Sequence, residues 1–152
     1  MIILETLLSF IATFGFGVIF NIHGRNLLFA SIGGAISWFV YALSLKFALS
    51  VPASMFISAV AFSIYSEILA RKLKTPVTTL VITALIPLVP GSGMYYTMYQ
   101  VVTGDVDKAL ELGLNTLASA GSLALGVIFV STITRRYYSV KLKLKNKKKL
   151  EN

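Results

Sequence analysis

Five long stretches without a formal charge constrain this chain more than any other feature. Residues 6–24 run 19 positions without Asp, Glu, Lys or Arg, 26–45 and 47–66 run 20 each, 75–104 runs 30, and 112–134 runs 23. A helix needs about 20 mostly apolar residues to cross a bilayer. Each stretch fits one crossing, and the sequence predicts transmembrane helices over 3–21, 27–45, 51–70, 77–101 and 110–134. The apolar/polar alternation of a barrel strand is missing. The expected fold is an all-α integral membrane protein, with a five-helix transmembrane domain over 1–134 and a basic cytoplasmic tail over 135–152.

Composition agrees. The chain is 56% hydrophobic and 13% charged, where a soluble domain runs near 25% charged. One small soluble core could not hide that much apolar surface. With no cysteine, disulfides, thiolate metal sites and cysteine nucleophiles are excluded. One histidine and six acids leave little for a metal cage, so neither a metal nor a cofactor is expected. The first stretch lacks the basic leader and small-residue cleavage site of a signal peptide and reads as a mature span.

The position of the charges sets the topology. With five spans, one side collects Arg25, Arg71, Lys72, Lys74, Arg135, Arg136 and the six lysines beyond residue 140, 12 of the 14 cations. The other side holds Lys46 and Lys108, with Glu5, Asp105, Asp107 and Glu111. The positive-inside rule places the C-terminus in the cytoplasm and the N-terminus outside, in a multi-pass protein of the cell membrane. The tail RRYYSVKLKLKNKKKLEN reads as a stop-transfer anchor that attracts anionic lipid, at about 1 kcal/mol per cation. No aromatic platform accompanies the lysines, so no nucleic acid is expected. Pro52 suits the first turn of a helix. Thr75-Pro76 and Gly104-Asp105 mark connections. The connections leave no room for an extramembrane domain, which is expected on another chain.

The fourth stretch carries Pro87, Pro90, Gly91 and Gly93 within seven residues. Proline removes an amide donor and clashes with the preceding turn, and glycine adds backbone freedom. The sequence therefore predicts a fourth helix broken near the bilayer midplane. Such a break survives in hydrocarbon only when buried in protein or facing a wet cavity. Half-helices meeting at mid-depth are a substrate-site design of secondary transporters. The second half-helix would begin near Gly91, its free amides able to hold a carboxylate without a fixed charge. The candidate substrate-binding residues are Pro87, Pro90, Gly91, Ser92, Gly93, Tyr95, Tyr96 and Tyr99. A plain proline kink with interfacial tyrosines is the competing reading.

Other polar residues are weaker candidates for coupling or for lining a path. Asn21, His23 and Arg25 also suit helix capping and anchoring. Glu67 lies one turn before Arg71, so an ion pair competes with a proton-coupling role. Asn115, Ser119 and Ser122 suit interhelical hydrogen bonding. Ala30/Gly34, Gly33/Ser37 and Ser122/Gly126 are small-residue pairs fit for close helix packing. A serine protease built on Ser92 and His23 fails on depth: the two lie about 15 Å apart along the membrane normal, where catalysis needs about 3 Å. A channel lacks a charged ring.

Three segments carry a resemblance. IPLVPGSGMYYTMYQ (86–100), GFGVIFNIHGRNLLFASIGG (15–34) and YSEILARKLKTPVTT (65–79) resemble the small membrane subunit of the threonine/serine exporter family. The resemblance implies export of threonine and serine driven by the proton gradient, with a larger membrane half supplied as a separate chain. It marks Pro87, Pro90, Gly91 and Tyr95, with Asn21 and Arg25, as family motif positions. Some split members are associated with dicarboxylate export, so a succinate-type exporter subunit stays open, as does a structural scaffold for the larger half. Five helices are few for alternating access, so a homo-oligomer or a complex with that half is expected.

Overall fold

A computed structural model describes residues 1–150 of the chain, and its side chains over 1–139. Most of the tail expected over 135–152 lies outside the residues with described side chains. The described chain is helical throughout, in the order α1 (Ile2–Ile19), α2 (Arg25–Lys46), α3 (Val51–Leu73), α4 (Val77–Leu85), a 3-10 turn (Ile86–Leu88), α5 (Gly91–Thr103) and α6 (Val106–Leu150), with no strand among the described residues. Helices α1, α2, α3 and α6 are each long and apolar enough to cross a membrane. Val77–Leu88 and Gly91–Thr103 meet the same test only as a pair, bent by 51° at the break, the geometry of a broken span or of a re-entrant loop. The expected all-α membrane architecture is thus present.

One boundary differs from expectation. Charge spacing puts the last span over 110–134, yet α6 begins at Val106 and continues beyond Arg135 and Arg136. Arginine and lysine end an apolar window but are good helix formers, so hydropathy marks where the hydrocarbon stops rather than where the helix does. The portion Val106–Ser139 has 34 residues and spans about 51 Å, well beyond the bilayer's hydrocarbon thickness of about 30 Å.

The helix ends follow from local chemistry. At the end of α1 the Ile22 amide reaches the Gly17 carbonyl and the Asn21 amide reaches Val18. Asn21 takes the left-handed conformation, with φ 59°. This is a Schellman closure, which satisfies the orphan carbonyls of the last turn, and Asn tolerates that conformation better than most residues. Gly104 closes α5 the same way with φ 88°, and the Asp105 amide bonds Gln100. Asp105 then caps α6, its Oδ1 accepting from the Lys108 amide at 3.1 Å. Pro52 sits in the first turn of α3, where its missing donor costs nothing.

Helix α2 occupies the middle, in contact with α1, α3 and α4, while α6 lies along α3 and α5 packs chiefly on α6. Small residues allow these approaches. A β-carbon on Gly34 would collide with Thr13, and one on Gly126 would collide with Ala59. A β-carbon on Gly33 would press on Ala84 and the Tyr65 ring. Hydroxyls add interhelical bonds: Ser9 Oγ donates to the Gly34 carbonyl at 2.9 Å, Tyr65 Oη to the Phe29 carbonyl at 3.0 Å, and Ser58 Oγ to the Ser37 carbonyl. Each such bond contributes about 0.6 kcal/mol in a bilayer. Close packing therefore holds the bundle more than these bonds do. One cluster of Met55, Ala59, Phe62, Ala84, Leu88 and Leu123 fills the centre. A second, of Ala30, Ala70 and Leu80, closes the end that carries Arg25, Arg71, Lys72 and Lys74, called here the basic end.

Candidate functional site

The break arises where the fourth span loses its donors. Pro87 and Pro90 have no amide hydrogen, so the α-helical ladder cannot pass through them. The chain tightens into the 3-10 turn, with the Val89 amide on the Ile86 carbonyl at 3.2 Å. Val89 then extends, with φ −58° and ψ 124°. Helix α5 restarts at Gly91, and its first regular bond runs from the Met94 amide to the Pro90 carbonyl at 3.1 Å. The Ser92 and Gly93 amides have no backbone acceptor, as the first turn of any helix requires.

Those two residues line a cleft of about 700 Å³. Trp38 and Tyr41 of α2 form one wall, and Ser50, Val51, Pro52 and Met55 at the start of α3 form another. The break supplies Pro87 to Pro90, and α6 supplies Leu112, Asn115, Thr116 and Ser119. All of these parts lie in the half of the bundle away from the basic end, where α2 joins α3 and α5 joins α6. Ser119 Oγ donates to the Asn115 carbonyl at 2.8 Å. No acidic or basic side chain lines the cleft among the described residues. The partial positive charge on its wall comes from two helix N-termini, those of α5 and α3, and Pro52 in the first turn of α3 offers no amide hydrogen.

Of the residues singled out from sequence, Pro87, Pro90, Ser92, Gly93, Asn115 and Ser119 meet in this cleft. Gly91 begins α5 beside it, with open space around its α-carbon. The tyrosines do not join them. Tyr95, Tyr96 and Tyr99 are 65%, 54% and 51% exposed. Tyr95 and Tyr99 share a face, as their spacing requires, with rings stacked at 6.4 Å. That face points away from the cleft because Gly93 and Thr97, against Thr116 and Gly113, turn the other side of α5 onto α6.

The remaining candidates sit near the basic end. Asn21 forms the left-handed closure of α1, and His23 Nδ1 donates to its carbonyl at 2.8 Å. Arg25 opens α2 and is exposed. Glu67 is 6% exposed and bonds Arg71 at 2.8 Å. The Arg71 guanidinium lies 3.4 Å from the centre of the Tyr138 ring, which ties α3 to α6. Sequence reasoning missed Trp38, Tyr41, Ser50 and Thr116. The available signal was a lone tryptophan in mid-span with a tyrosine three residues on, a pair that must share a helix face.

A broken helix whose second half begins at a largely apolar cleft with a few polar groups, in a chain of membrane-length helices, is an arrangement shared with the substrate sites of multi-pass secondary transporters. The comparisons agree. The family described as Threonine/Serine exporter, ThrE, matches residues 5–133, and the chain belongs to that family. No curated protein and no solved structure matches it.

Proposed function

We propose that this chain is one membrane half of a proton-coupled exporter of small carboxylate-bearing solutes, threonine and serine foremost, working with a larger half on a separate chain. The observation that carries the proposal is that Ser92 and Gly93, whose amides have no backbone acceptor, line a cleft without charged side chains. A carboxylate accepting from both gains charge-assisted bonds and the helix-end potential. It needs no arginine or lysine, and so can leave as readily as it enters.

Orientation completes the reading. With the basic end cytoplasmic, the cleft opens outward, and the Ala30, Ala70 and Leu80 cluster is the inward seal that must part during transport. The larger half packs against α5. That helix has no buried residue, and three tyrosine hydroxyls on its free face need polar partners within the hydrocarbon. Anionic lipid neutralises the basic tail.

The test is efflux of radiolabelled threonine from cells carrying both halves. Ser92→Pro removes one free amide while keeping the first turn of α5, and Gly91 before it has no β-carbon to clash with the ring. Loss of one charge-assisted bond predicts a rise of at least about tenfold in the half-saturating threonine concentration. Unchanged saturation would remove α5 from substrate binding.

A further inference from the structure

A carboxylate seat serves many solutes, and another wall of the cleft decides among them. Trp38 and Tyr41 lie on that wall with ring centres 5.5 Å apart and planes tilted by 56°. Behind them, the Trp38 indole N–H donates to Glu5 Oε2 at 3.4 Å. Glu5 is half-buried on α1 and does not itself line the cleft.

We infer that Trp38 and Tyr41, backed by Glu5, form an ammonium-recognising wall, and that the cleft selects a zwitterionic amino acid over a dicarboxylate. The inference rests on the exporter reading and adds the basis of its specificity. An aromatic face attracts a cation placed within about 6 Å of its centre, tryptophan most strongly. A carboxylate on the indole N–H pushes electron density into the ring and strengthens that attraction. A cleft of about 700 Å³ is on the order of 11 Å across, so an α-amino acid seated on α5 brings its ammonium within reach of this wall. The Asn115 amide and the Ser119 hydroxyl remain for a side-chain hydroxyl. A dicarboxylate meets a different balance. Its first carboxylate takes the α5 amides, and its second meets aromatic rings whose quadrupole repels it and the start of α3, where Pro52 offers no amide hydrogen, with no charged side chain on the lining to receive it.

The test is threonine transport by the assembled exporter in membrane vesicles, with competition by 3-hydroxybutyrate, which keeps the carboxylate and hydroxyl but lacks the amine, and by succinate. Trp38→Ala raises the half-saturating threonine concentration about tenfold, and Trp38→Phe and Glu5→Gln about threefold. Inhibition by 3-hydroxybutyrate stays within about twofold in all three, and succinate competes poorly with the native protein. Trp38 is the chain's only tryptophan, so the fluorescence difference between native and Trp38→Phe exporters isolates its signal. Threonine shifts that signal and 3-hydroxybutyrate does not. Equal weakening of both ligands in Trp38→Ala, at normal membrane abundance, would reduce the wall to a structural part and overturn the inference. Succinate competing as well as threonine would overturn it too. A native protein that transports no threonine and is inhibited by no carboxylate would overturn the exporter reading, and this inference with it.

Discussion

Gly93 approaches Thr116 so closely that a β-carbon on the glycine would collide with the threonine hydroxyl. Further along the two helices the roles reverse: a β-carbon on Gly113 would press on the Thr97 methyl at 3.3 Å. These reciprocal glycine–threonine pairs set the spacing of α5 and α6, and with it the position of the amides at the head of α5. Gly93→Ala must push the helices apart, at a cost of about 1–3 kcal/mol. The expected result is a lower melting temperature of the purified protein and strongly reduced threonine efflux. Pairing it with Thr116→Ala, which removes the colliding hydroxyl, restores part of both.

Gly91 provides the contrast. It also stands at the head of α5, but nothing lies within 4 Å of the position a β-carbon would take. Gly91→Ala is therefore expected to leave melting temperature and efflux close to native. A loss as deep as that of Gly93→Ala would show that the amides fail through backbone stiffening rather than displacement.

The α1–α2 interface rests on a similar device. Thr13 is fully buried against Gly34, and Ser9 donates to the Gly34 carbonyl. Gly34→Ala is expected to destabilise by about 1–3 kcal/mol through overpacking, read as a lower melting temperature in detergent. Thr13→Ala in the same chain offsets part of that loss, since it removes the Oγ1 and Cγ2 atoms that the new methyl meets, while the residue-13 β-carbon at 2.7 Å still has to move.

Glu67 and Arg71 test whether a buried carboxylate couples transport or ties helices. Arg71 is about one-third exposed, so the pair contributes on the order of 1 kcal/mol or less. As a tie, Glu67→Gln leaves threonine efflux within about twofold of native and lowers the melting temperature slightly. If efflux in that variant continues but no longer responds to an imposed proton gradient, Glu67 is the coupling group instead.

The architecture was legible because charge is so costly in hydrocarbon: the gaps between Glu5, Arg25, Lys46 and Glu67 lie close to the helix ends. The break was legible because Pro87 and Pro90 remove donors at fixed positions. The cleft was only half legible. Small and hydroxyl residues mark the inward faces of α1 and α3, as Ser9, Thr13 and Gly17 or Ser54 and Ser58 do, but α5 has no buried residue to mark one. Tyr95 and Tyr99 follow the break in sequence, and the small residues on the other face of α5 set the rotation that keeps them off the lining of the cleft. Trp38 and Ser50 come to the cleft from α2 and the start of α3, and only the packing of those helices against the break brings them there.

The most direct measurement uses the absence of native cysteine. Cysteine is placed singly at Ser92 and at Tyr95, and intact cells carrying the assembled exporter are treated with a membrane-impermeant thiol reagent. An outward cleft headed by α5 predicts rapid labelling of Ser92→Cys from outside, slowed by threonine, and little labelling of Tyr95→Cys with or without threonine. A Ser92→Cys that stays unlabelled, while Tyr95→Cys reacts and is shielded by threonine, would contradict it.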